Sequence, residues 1–518
     1  MPLRQKTVEQ ALDLAGFSKY NLYLFLFYGL AILTMTFEFF GTFYIMPPMA
    51  RELGVSDFQL EILTQVLTGG LFASSKIWAH ISDTRGRKKA LRIALTMSFL
   101  FGTFAAFSPH WIVLAVIKLG SAAGVSGTFV SSFPLLIECT PKAKRRAVVT
   151  LSTSTFLVAL GTMAVLSFAI LSLRFSSYIP GLAIYFTSWR LLCLLFALPS
   201  IFCIIGMRYV FESPKYYLTL DNEAKALQVL RGMYQINSGR SVENYKLSTV
   251  ILDEDNISTK DMKCLRSFWT RLRNIFKKPR MVYFTLVMKS QVACYVCAYC
   301  YIELMPIIAS AFIASKAKGH THLTVCEMIR DRQNTTMSEQ NNEAFINGFA
   351  MTMVFTVGIA LAMLNVIINT LTNYISRKRI IITIQVLVTI AALCLNFSPY
   401  GVLTAILFMC VLSGVLNLGL LFSYVGDIFP SFIMSLAVAF TAVAGLGPAS
   451  LVAMLVKRFI RSNCEVVFYI VTGVSLICVI IMSFLPSNET LYENRKLLNQ
   501  RVPKEDEENR SSRYSYYS

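Results

Sequence analysis

The chain has 518 residues, 55% of them apolar and only 15% charged. A soluble protein of this size has about a quarter of its residues charged and divides into several domains, so that class is excluded. The net charge of +19 would suit a nucleic-acid binder, but the cations stand in short clusters between apolar blocks; the charge reads as membrane topology, with no nucleic-acid partner.

Residues 1–21 are polar and lack the apolar core of a cleaved signal peptide. Apolar blocks of roughly twenty residues, enough to cross a bilayer core of about 30 Å as a helix, follow near 22–47, 59–81, 90–107, 111–137, 148–172 and 188–210. Lipid cannot hydrate a peptide group, so these blocks must be helical. After a hydrophilic stretch, six more lie near 281–314, 344–373, 380–397, 401–426, 433–456 and 465–485. The expected organisation is a cytoplasmic N-terminus (1–21), a six-helix bundle (22–210), a cytoplasmic central loop (211–280), a second six-helix bundle (281–485) and a disordered cytoplasmic tail (486–518). Basic short loops stay inside, and the clusters at Arg85–Lys89, Lys142–Arg146 and Arg377–Arg379, with the central loop, fall on one side if both termini are cytoplasmic.

The two halves echo each other. Asp83-Thr84-Arg85-Gly86-Arg87-Lys88 lies between spans two and three, and Asn373-Tyr374-Ile375-Ser376-Arg377-Lys378 between spans eight and nine. Glu138-Cys139-Thr140-Pro141 ends span four and Asp427-Ile428-Phe429-Pro430 ends span ten, an acid and a proline at the same spacing. A duplicated six-span unit with a site at its interface is a transporter architecture. Asp83, Gly86, Arg87, Lys88, Glu138, Arg145 and Arg146, with Arg377, Lys378 and Asp427 in the second half, are the expected gating set. The expected pairs are Asp83 with Arg145 or Arg146, and Glu138 with Arg87 or Lys88. Losing an acid at Asn373 together with a cation at Met434 supports the first pair.

Asp83-x-x-Gly86-Arg87-Lys88 resembles the signature loop of the major facilitator superfamily. Phe211-Glu212-Ser213-Pro214-Lys215 and the segment Glu223–Leu230 resemble the sugar-porter branch. Ser188-Trp189-Arg190, Gln10–Phe17 and Phe37-Glu38-Phe39-Phe40 narrow the likeness to the synaptic vesicle glycoprotein and its related-protein group. The resemblance implies an all-α membrane protein, twelve transmembrane helices in two pseudo-symmetric six-helix bundles, and spans one, four and seven lining a central cavity. The chain departs from the group at Met35, where an aspartate is expected, and at Lys118, where arginine is usual.

Ionisable groups within spans are costly and mark function. Glu38, Lys118 and Glu303, with Tyr299 and Tyr301, form the candidate substrate site. A mixed-sign cluster there would bind a small organic zwitterion or cation, or let a carboxylate carry a proton; the competing reading is a structural ion pair. Trp189 and Arg190 read as residues of the outer interfacial belt. Cys326 and Cys464 lie on outside loops, where a bridge is open but two separate thiols are expected. Asn334 is the candidate glycosylation site, and Glu493 with Leu497 and Leu498 fits a sorting signal read by adaptors. No metal site, cofactor or catalytic constellation is expected, so an enzyme is not. The reading is a multi-pass secondary transporter of the plasma membrane or an intracellular vesicle; the alternative is a non-transporting vesicle protein acting through its loop and tail.

Overall fold

The computed structural model describes residues 5–252, 264–276, 280–317, 319, 322–333, 348–399, 401–442, 445–460 and 462–487. Strand β1 (Gln5–Thr7) runs into helix α1 (Val8–Ala15), whose Thr7 and Gln10 cap each other reciprocally. Six long helices follow: α2 (Lys19–Leu53), α3 (Asp57–Arg85), α4 (Arg87–Ala105), α5 (Trp111–Glu138), α6 (Lys142–Leu171) and α7 (Ser188–Gly206). Between the last two, strands β2 (Ser176–Ile179) and β3 (Ile184–Thr187) pair as an antiparallel hairpin.

The central segment folds on the opposite face from that hairpin. It supplies α8 (Pro214–Thr219), α9 (Glu223–Ser238), β4 (Thr249–Ile251) and α10 (Cys264–Ile275). β4 pairs in parallel with β1, and Tyr245 donates a hydrogen bond to the Ala11 carbonyl at 2.7 Å. Residues 5–15 thus form a strap held against the central segment, and the face that carries both is called the strap face below.

The second half comprises α11 (Arg280–Ala317), α12 (Val325–Gln333), α13 (Gly348–Leu371) and α14 (Arg377–Leu395). Helices α15 (Gly401–Leu412) and α16 (Leu416–Ile428) form one span through a 3-10 turn, and α17 (Met434–Ala442) with α18 (Leu446–Phe459) forms another; α19 (Cys464–Ser483) closes the bundle. That makes twelve spans in two six-helix bundles.

Among the described residues, ten spans are long and apolar enough to cross a membrane by length and composition alone. The other two, α3 and α4, meet at the signature loop. Arg87, Lys88, Lys89 and Arg92 crowd the start of α4, so its apolar stretch is short and its cations must find partners or reach headgroups. The glycines of α5 permit close packing on α4, as their spacing suggests. A Cβ on Gly124 would press into the backbone of Ala94 and Ser98. Across the two bundles, α6 and α13 approach as closely: a Cβ on Gly358 would stand 2.8 Å from the Leu157 carbonyl oxygen.

Candidate functional site: a polar latch and an aromatic cluster between the bundles

Gly86 separates α3 from α4 with φ of 101°, in the left-handed region that favours glycine. A Cβ there would also collide with the Glu212 carboxylate. That carboxylate fills the space a capping side chain would occupy: it accepts from the backbone N–H of Arg87 at 3.0 Å and of Lys88 at 3.1 Å. A negative group at a helix N-terminus satisfies orphan donors and opposes the helix dipole. Burial pushes the Glu212 carboxyl above its ordinary range, against these backbone N–H groups and the nearby Arg87.

The turn aims Arg87 into the protein, where its side chain is fully buried. The guanidinium stands 2.9 Å from Glu138 and 3.5 Å from Asp83. The same nitrogen donates to the Ser431 carbonyl of the second bundle at 2.6 Å. Asp83 meets a second cation, Arg271 of α10, at 3.6 Å, and Arg271 donates to the Phe432 carbonyl at 2.8 Å. Ser435 and Ser82 join alongside at 3.1 Å. Two acids and two cations therefore close one junction where the first bundle, the central segment and the second bundle meet.

The second-bundle counterpart is more open. Arg377 stacks over Tyr424 at 3.6 Å and pairs with Asp427 at 3.0 Å. Arg146 reaches the same carboxylate from the first bundle at 3.6 Å. Lys378 stands half-buried next to Arg377.

Glu138 with Arg87 is the pairing expected from the sequence. Asp83 is not: it pairs with Arg87 and Arg271, not with Arg145 or Arg146. Arg145 turns instead to the strap, meeting Glu9 at 2.7 Å, and Lys215 approaches the same carboxylate at 2.6 Å. Burial would raise the Glu9 carboxyl, but Lys215 and Arg145 outweigh it and hold the pKa down to about 2.

At mid-span, Glu38 of α2 pairs with Lys118 of α5 at 3.4 Å and accepts from Ser121 at 2.7 Å. Both charged groups are buried. A Cβ on Gly102 of α4 would collide with the carboxylate. The pair is thus enclosed among helices of the first bundle, which corrects the expectation that Glu38 and Lys118 line the cavity. Two positions on, about 200° around the helix, Phe40 faces the other way. It meets Tyr299 of α11 at 6.4 Å and Phe156 of α6 at 5.7 Å, and Phe43 meets Tyr299 at 6.5 Å. Tyr299 therefore lies where the two bundles meet. Tyr301, again about 200° away, packs on Phe408 and Phe468 inside the second bundle, so its expected place in the cavity is corrected. The side chain of Glu303 lies outside the described residues, as do Asn334 and the sorting-signal residues Glu493, Leu497 and Leu498.

On the hairpin face, Arg190 pairs with Glu52 at 2.8 Å and donates to the carbonyls of Ala106 and Ser108. Trp189 Nε1 donates to Glu52 at 2.7 Å. Both side chains are buried; they tie three helix ends together and are not an interfacial belt. Cys326 and Cys464 are bridged, with Cα atoms 5.7 Å apart, which corrects the expectation of separate thiols.

The family model of the Major Facilitator Superfamily matches residues 26–329. The chain belongs to that superfamily. It is 24% identical over 264 residues to organic cation/carnitine transporter 7 of Arabidopsis thaliana, covering 50% of each chain. To synaptic vesicle 2-related protein of Xenopus laevis it is 30% identical over 224 residues, 43% of this chain and 38% of that one. To synaptic vesicle glycoprotein 2A of Rattus norvegicus it is 24% identical over 229 residues, 44% and 31%. The matches span about half the length of these relatives or less. The structure resembles the proton:xylose symporter XylE bound to 6-bromo-6-deoxy-D-glucose, with a TM-score of 0.59 at 14% identity over 94% of this chain and 98% of that one. This likeness shows the major facilitator fold, and the chain is a multi-pass membrane protein of a transporter superfamily.

Sequence reasoning did not place Glu9, Glu212, Arg271 or the Phe40, Phe43 and Phe156 rings in a site. Glu212 and Phe40 stand within the segments that carry the family likeness; Glu9 and Arg271 have no such local mark.

Proposed function

We propose that this chain is a secondary active transporter of a small organic solute working by alternating access, with the solute bound between the bundles against Phe40, Phe43, Phe156 and Tyr299. The observation that carries the reading is the reach of Arg87 from Glu138 in the first bundle to the Ser431 carbonyl in the second. A barrier built from ion pairs and hydrogen bonds can open and re-form, which alternating access requires. Asp83, Arg87, Glu138, Arg146, Arg377 and Asp427 are the gating residues in this reading. Glu38, behind the aromatic cluster and with Oε1 unbonded among the described residues, is the candidate proton carrier.

The orientation follows from redox chemistry. Disulfides persist in oxidising compartments, so the Cys326–Cys464 face is outward or lumenal and the strap face cytoplasmic.

The test is a thermal-shift screen of purified protein against sugars, organic cations, organic anions and nucleosides, followed by uptake of any hit into proteoliposomes under an imposed pH gradient. A ligand of the native state raises its melting temperature. Phe40→Ala and Tyr299→Ala should weaken that shift, and Glu38→Gln should remove the response to the pH gradient. No hit and no flux under any gradient would overturn the reading. If residues 211–280 also captured a stable partner, the non-transporting alternative would stand instead.

A further inference from the structure

We propose that α10 is a docking surface for anionic lipid headgroups on the strap face, and that this contact holds Arg271 in the latch. The helix has two faces of different fate. Arg271, Asn274 and Ile275 are buried against the protein. Arg266, Trp269 and Arg273 are exposed, and so is Phe276 in the turn that follows, with Trp269 59% and Phe276 43% exposed. At about 100° per residue these four side chains fall within one stripe about 80° wide. Cations and large apolar groups together on one exposed stripe are the pattern of a helix lying in a membrane interface.

Charge and position choose the partner. From Cys264 to Arg280 the sequence carries Arg266, Arg271, Arg273, Lys277, Lys278 and Arg280 and no acid. α10 ends at Ile275 and the span α11 begins at Arg280. Five residues reach at most about 17 Å, so α10 cannot leave the level of the membrane surface. Along the chain, the exposed apolar side chains continue into Met281 and Val282 at the start of α11. An acidic protein that wraps basic amphipathic helices, such as calcium-loaded calmodulin, reads the same composition. Wrapping would require the face bearing Arg271 and Ile275, which is already buried, whereas a lipid surface needs only the exposed stripe.

The test uses the full chain in nanodiscs of phosphatidylcholine alone or with phosphatidylserine added, and reads amide hydrogen exchange over residues 264–276. Each arginine near an anionic surface contributes about fivefold, so phosphatidylserine should slow exchange by up to about thirtyfold. The slowing should fall markedly in the Arg266→Gln/Arg273→Gln variant, which keeps Lys277 and Lys278, and weaken as salt is raised. Equal exchange in the two lipids would overturn the proposal, and the wild-type pair decides this even if the variant fails to fold. Slowing left undiminished by the double substitution would overturn it as well. Protection by calcium-loaded calmodulin in neutral discs, where phosphatidylserine gives none, would also overturn it and assign the stripe to a protein partner.

Discussion

The two halves of the chain carry the same arginine at the same junction and surround it differently. Arg87 is sealed in, with Asp83, Glu138 and Arg271 around it and the Glu212 carboxylate at its backbone. Arg377 is buried as well, but the acid it meets, Asp427, is 22% exposed and shared with the half-exposed Arg146. A charge removed from water needs its full set of partners, whereas one that keeps water does not. The first half thus reads as the stable element and the second as the element that yields.

Arg87→Ala is the sharpest way to break this contrast. It leaves Asp83 and Glu138 buried without their shared cation, and should cost about 3–5 kcal/mol, seen as loss of monodisperse protein in detergent. Arg377→Ala should cost less, about 1.5–3 kcal/mol, because Asp427 keeps Arg146 and solvent. Equal losses would remove the contrast.

The strap belongs to the first half only. The Glu9 carboxyl is held at about 2 against an ordinary 4.5. A carboxyl held down stabilises fully above the ordinary value, and its contribution is lost as pH falls from about 4.5 to about 2, on the order of 3 kcal/mol in all. Proteolysis of residues 5–15 should therefore begin within that window in the wild type, and Glu9→Gln should show no step there. Glu212→Ala should cost about 1 kcal/mol of thermal stability. The equivalent helix α14 starts after Ser376, whose own side chain makes no capping bond, so Ser376→Ala should cost less than that. The smallest effect is expected of Asn373→Asp, which restores an acid four residues before Arg377. Asn373 is exposed, so the gain should not exceed about 0.5 kcal/mol.

The spans were legible because burial in lipid is decided by each block alone, and the repeat made the charged junctions visible by register. Partner choice was not legible. Arg145 and Arg146 are neighbours in sequence, but about 100° apart on α6, and one meets the strap while the other crosses to Asp427. Asp83 found its second cation in α10, where no periodicity marks Arg271 for that role. Glu38 and Tyr301 lie away from the cavity for a simpler reason. Residues two apart on a helix are about 200° apart and face opposite ways, so Glu38 does not share a face with Phe40, nor Tyr301 with Tyr299; residue type within a span carries no information on that rotation.

The carboxylate that finishes the start of α4 comes from a residue 125 positions downstream. Ribosomes add about 5–20 residues per second, so a nascent chain holds Gly86 with an open helix end for on the order of 10 s. Until Glu212 emerges, that turn must borrow water or a lipid phosphate in its place. The completion of the first bundle is thereby timed by synthesis of the segment that follows it.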